Sequence, residues 1–190
     1  MTTLDFEKVA EMVDYFDWEN TEESTGFEPL PDGTRVLCTI KTDVKNCGLV
    51  FGNTSGIPYA KLALVISAPE NLIGRYAAFD NMHFASASGD PEKTKTIRGM
   101  SMRTLHAVFG DDYRDDVLKN MPRASLEDGV AYIVDVLHDQ QVVVTLKYTP
   151  ESHDEVTGRT FAAKNEVRKY ESVEEWGIDD DGDADEDLPF

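Results

Sequence analysis

The chain has 190 residues, 41% of them hydrophobic, and a formal net charge of −19. That length suits one ordinary domain with extensions, and no run of about 18 apolar residues marks a helical membrane span. The acidic start, Met1-Thr2-Thr3-Leu4-Asp5-Phe6-Glu7, lacks the basic region of a signal peptide, so a cytoplasmic protein is expected.

Leu4 to Trp18 reads as an amphipathic helix, with Phe6, Val9, Val13 and Phe16 at helical spacing. Gly26 to Gly33 is a turn-rich entry to the first strand, Arg35 to Val44, whose residues Val36, Cys38, Ile40 and Val44 share one face. Asn46 to Ile57 carries three glycines and reads as a loop. Tyr59 to Ile66 is the second strand and Arg75 to Phe84 the third. The period then changes. Thr94 to Phe109 fits a helix with Ile97, Met100, Leu105 and Val108 as its apolar side. Asp111 to Met121 suggests a short second helix. Ser125, with Asp128 three residues on, caps a third, whose apolar set is Val130, Ile133, Val134 and Leu137. Val142 to Tyr148 and Thr160 to Tyr170 complete the strands, joined by a polar hairpin loop.

The expected fold is therefore an all-β core with a helical insertion. Five strands with helices between strands 3 and 4 is the layout of the OB-fold barrel, which binds oligonucleotides across one sheet face. The N-terminal amphipathic helix and linker occupy residues 1–26, the barrel 27–170 and an acidic tail 171–190.

Charge is unevenly placed along this layout. Residues 1–30 hold nine acids and one base, and residues 171–190 ten acids and no base. Residues 31–170 hold eighteen acids and seventeen bases, so the middle is near neutral. Such asymmetry points to an interaction tail rather than to an acidic fold. Asp179 to Phe190 is too acidic to bury a core and is expected to be disordered.

The polar faces of the strands supply Arg35 and Lys41, then Tyr59 and Lys61, then Lys147, then Lys164, Arg168 and Tyr170. Arg75 and Tyr76, together with Phe79, lie on the third strand, where the facing is ambiguous. Phe51 lies in the glycine-rich loop. Cations that track phosphates and rings that stack on bases make a site for single-stranded nucleic acid, at about 1–3 kcal/mol per stacked base. Nothing in the pattern separates DNA from RNA. At the other end, Asp185-Glu186-Asp187-Leu188-Pro189-Phe190 places an apolar tripeptide beside acids, a good peptide ligand for a pocket rimmed by Lys or Arg.

An acid-rich tail ending in Pro-Phe resembles that of bacterial single-stranded-DNA-binding proteins. The body, with Phe27-Glu28-Pro29-Leu30-Pro31-Asp32-Gly33 before a strand and Gly158-Arg159-Thr160-Phe161 in the last hairpin, looks like OB-fold proteins of phage replication modules. The long Gly/Gln/Pro-rich linker of the bacterial proteins is missing, which favours the phage type. The resemblance implies sequence-independent binding of single-stranded DNA in replication, recombination and repair, by a monomer or dimer. It also implies a tail that recruits a polymerase, helicase or nuclease and competes with DNA for the basic groove.

An enzyme is not expected. Cys38 and Cys47, the only cysteines, have no Cys-x-x-Cys spacing and read as two reduced thiols. His83, His106, His138 and His153 do not stand at metal-ligand spacing, no phosphate loop is present, and no cofactor is implied. The cluster Asp111, Asp112, Asp115 and Asp116 reads as a solvated helix face. Alternatives in other classes are an acidic DNA mimic or adaptor acting through protein contacts, and a single-strand annealing mediator.

Overall fold

The structure is a computed structural model that describes residues 28–154 and 158–177. The expected N-terminal helix and the end of the acidic tail fall outside the described residues. The strands are β1 (Arg35–Lys41), β2 (Gly48–Phe51), β3 (Pro58–Ala68), β4 (Tyr76–His83), β5 (Gln141–Thr149), β6 (Ser152–Asp154), β7 (Arg159–Phe161) and β8 (Lys164–Glu171). Two helices, α1 (Pro91–Phe109) and α2 (Leu126–Leu137), interrupt them between β4 and β5, separated by a π-helical turn at Arg114–Leu118.

A six-stranded antiparallel sheet runs β2-β3-β1-β5-β8, with β4 on the other edge of β3. The long β3 organises it. β1 and β2 share one edge of β3, end to end, as the pairs Lys41–Ala63 and Gly48–Lys61 show. Gly48 permits the step between them: its φ is +88°, and a Cβ there would stand 2.9 Å from the Thr42 carbonyl oxygen. Register shifts at Leu37/Cys38, Leu64/Val65 and Thr145/Leu146 bend the strands, as β-bulges do. β4 and β8 approach one another without ladder pairing, so the sheet stays open along that seam.

Alternation explains the core. Val36, Cys38 and Ile40 of β1 and Leu62, Leu64 and Ile66 of β3 face inward and are essentially inaccessible. α2 adds Val130, Ile133, Val134 and Leu137, the set its sequence spacing marked out, and packs on β2 and β3. Its Ser125 cap accepts from the Asp128 amide at 3.0 Å. Asp90 caps α1 in the same way, accepting from the Glu92 and Lys93 amides.

Several elements differ from the sequence reading. Residues 46–57 are not all loop, because Gly48–Phe51 pairs with β3. The first strand ends at Lys41 rather than at Val44, and the last divides into β7 and β8, with β6 and β7 forming a separate hairpin. The second short helix is the π-helical turn. On α1 the buried side is Ser101, Thr104, Leu105 and Ala107, and Met100 faces outward at 62% exposure. Ser101 and Thr104 are easily misread as polar surface. The Ser101 hydroxyl is satisfied by the carbonyl of His83, which lets a polar residue lie against the sheet.

Candidate nucleic-acid interface

The outward faces of β3 and β4 form one surface. On β3 it carries Tyr59, Lys61, Ala63 and Val65, and on β4 their partners His83, Asn81, Phe79 and Tyr76. Tyr59 and His83 stack with centroids 4.7 Å apart and 29° between planes. Tyr76 and Phe79 stack at 5.2 Å and 24°. Lys61 stands between the two pairs in the register, and its ammonium lies 5.9 Å from the Phe79 centroid. Phe79 is 51% exposed. The pairing register leaves no carboxylate on this face, because Asp80 points to the other side. In a chain with 37 acids, an aromatic and cationic surface free of them is an unusual concentration of stacking and phosphate-binding groups.

Recesses flank this surface. One of about 260 Å³ lies beside Tyr59 and His83, walled by Gly52, Ser55, Ile57 and Ile97. Another, of about 450 Å³, follows the open seam and is lined by Asp80, Asn81, His83, Arg103, Arg168 and Lys169.

The remaining sequence-chosen residues lie elsewhere or are engaged. Lys41 is ion-paired with Asp139, which raises its own pKa and lowers that of Asp139. It stands on β1 next to the aromatic surface, opposite Ala63. Lys147 and Lys164 face outward on β5 and β8, across β1 from the rings, and Lys164 pairs with Glu166 at 2.8 Å. Arg168 pairs with Asp32 at 3.0 Å. Asp32 also accepts the Tyr148 amide, and these contacts, the amide first, hold its pKa down. Exposed pairs of this kind are worth about 0–1 kcal/mol, so a phosphate can replace the carboxylate at little cost. Arg35 is more committed: it meets Glu171 at 3.5 Å and the Glu175 carbonyl at 2.5 Å.

Phe51 pairs with Pro58, one residue out of phase with Tyr59, and therefore lies on the opposite side of the sheet, 46% exposed. Arg75 precedes β4 and donates to the Glu28 carbonyl at 2.8 Å. Tyr170 faces inward; its hydroxyl donates to Asp80 at 2.6 Å, and burial raises its pKa well above the ordinary value. It joins β8 to β4 and offers no free ring. Asp185, Glu186, Asp187, Leu188, Pro189 and Phe190 lie outside the described residues.

Sequence reasoning missed His83 and Asn81 and left the facing of Phe79 open. The signal was there: Phe79, Asn81 and His83 recur every second residue, alternating with Ala78, Asp80 and Met82. Among the described residues, no group of three or more His, Cys, Asp or Glu is placed to hold a metal ion. No family model and no curated protein matches the chain.

Proposed function

We propose that the protein binds single-stranded DNA, independently of sequence, across the β3–β4 face. The observation that carries this is the pair of exposed aromatic stacks with Lys61 between them on a face without acids. Rings offer bases a stacking surface whatever their identity, and Lys61, with Lys41 on the neighbouring β1, supplies charge for phosphates. The strand order supports reading the sheet as a partly open OB barrel, with β1, β3, β4, β5 and β8 as its strands, the helices between the third and fourth, and the β4–β8 seam as its gap.

In this reading the protein serves phage DNA replication, recombination and repair in the host cytoplasm, as a monomer or dimer without enzymatic activity or cofactor. The segment Asp185–Phe190 recruits replication proteins: its ring fills a partner's pocket and its acids meet Lys or Arg at the rim. Fluorescence anisotropy of a labelled oligo-dT, against a duplex of equal length at two salt concentrations, tests the binding. Binding to the single strand that weakens with salt, and little to the duplex, is expected. Equal or preferential duplex binding, or none to either, would remove the proposal.

A further inference from the structure

A second, apolar groove of about 370 Å³ opens on the helical side of the domain, between α1 and the start of α2. It shares no lining residue with the aromatic face. Met102, Leu105, Leu118 and Met121 line it, and Arg98 and Arg123 stand among its lining residues. The size is that of a pocket that holds a compact apolar group, and methionine side chains adapt to what enters. Arg98 donates to the Phe84 carbonyl at 2.8 Å, and neither arginine forms an ion pair among the described residues. An apolar cleft with two such cations fits a segment that is both acidic and apolar.

The chain itself contains that segment. Asp185-Glu186-Asp187 places three carboxylates immediately before Leu188-Pro189-Phe190. We propose that the groove between α1 and α2 receives this chain's own Leu188–Phe190, with the Phe190 ring among Met102, Leu105 and Met121 and the preceding carboxylates against Arg98 and Arg123. The chain leaves β8, on which α1 packs, at Glu171 and runs through Val173–Glu175, held by Arg35, to Gly177; residues 178–190 then reach about 43–47 Å when extended. Docking there parks the aromatic end on the helical side and leaves the sheet face to DNA. A partner that takes the tail must displace it from the groove, so partner and groove compete for the same three residues.

The test is methyl NMR of the full chain labelled at methionine and leucine, comparing the native protein with Phe190→Ala. The Met102, Met121 and Leu105 methyls should shift, at every protein concentration, while the Met82 methyl of β4 stays in place. In an Arg123→Glu background, Phe190→Ala should add much less. A labelled peptide of residues 181–190, added to the full-length Phe190→Ala protein, should bind at least tenfold more weakly once Arg123→Glu is introduced. Groove methyls that ignore Phe190→Ala overturn the proposal. So do shifts that emerge only as concentration rises, which would mean a second copy's tail. Neither readout involves DNA, so its outcome is separable from that of the oligo-dT experiment.

Discussion

Tyr59 and Phe79 each have a ring neighbour already, His83 and Tyr76. A stacked pair keeps one ring from collapsing onto the sheet, and the partly exposed face is left for a base. Replacing Tyr59 or Phe79 by Ala is expected to weaken oligo-dT binding by about 1–3 kcal/mol, with little change in its salt dependence. Lys61→Ala should instead lower the slope of log K against log salt by about 0.7. Anisotropy titrations at several salt concentrations separate the two effects, and unchanged affinity in the ring variants would leave the stacks as surface packing. Glu171 is a residue of the opposite kind. Burial pushes its carboxyl pKa up, but hydrogen bonds from Lys169 and Thr145 and the charges of Lys169 and Arg35 outweigh that, and the net shift is downward. A folded-state pKa below the unfolded one means the carboxylate stabilises the fold above its unfolded pKa, and that stability is lost as pH falls through the folded value. Glu171→Gln should therefore cost about 1–3 kcal/mol at pH 7 and flatten the acid side of the stability curve, as measured by urea denaturation across pH.

Among the elements, the β4–β8 seam is where the sheet is least supported by its own ladder. Tyr170 and Asp80 bridge it through one hydrogen bond. Tyr170→Phe keeps the ring and removes the donor, leaving the Asp80 carboxylate without it. A loss of about 1–3 kcal/mol is expected, with faster amide exchange confined to β4 and β8; uniform exchange across the sheet would show that the seam opens only with the whole domain. β1, β3 and α2 were legible in the sequence because their burial is one-sided: period 2 in β1 and β3, and 3.6 in α2, both survive folding. What escaped depended on long-range pairing. β2 is four residues long and has no pattern of its own; it is a strand because β3 extends past β1 to receive it. Phe51 changes side for the same reason, since only its pairing with Pro58 sets its face. The aromatic surface was half visible: Tyr59 and Lys61 came from clean alternation, but the bulge at Leu64/Val65 scrambles the start of β4, where Ala77 and Ala78 are both buried. α1 misled through composition, because Ser101 and Thr104 share its inward face with Leu105 and Ala107.

At the scale of the whole molecule the question is how a chain of net charge −19 meets a polyanion. The acids of residues 1–30 and 171–190 repel DNA within a screening length, while the sheet face attracts it locally. Salt acts on these two terms in opposite directions. It weakens attraction by reducing the gain from counterion release, and it screens the repulsion from the ends, whose reach is about 8–10 Å at ordinary ionic strength. The full chain should therefore show a shallower salt dependence than its basic contacts alone would give. Removing residues 179–190 takes away seven carboxylates and no base. The truncated protein should bind oligo-dT equally or more tightly at low salt, with the difference closing as salt rises, so its slope is steeper. It should also lose recruitment of replication proteins, read by pull-down of polymerase and helicase with both forms. Parallel slopes would mean that the tail lies beyond a screening length from bound DNA. A large fall in affinity would mean that the tail supports the DNA-binding state rather than opposing it, and the charge repulsion between tail and DNA would have to be abandoned as the governing effect.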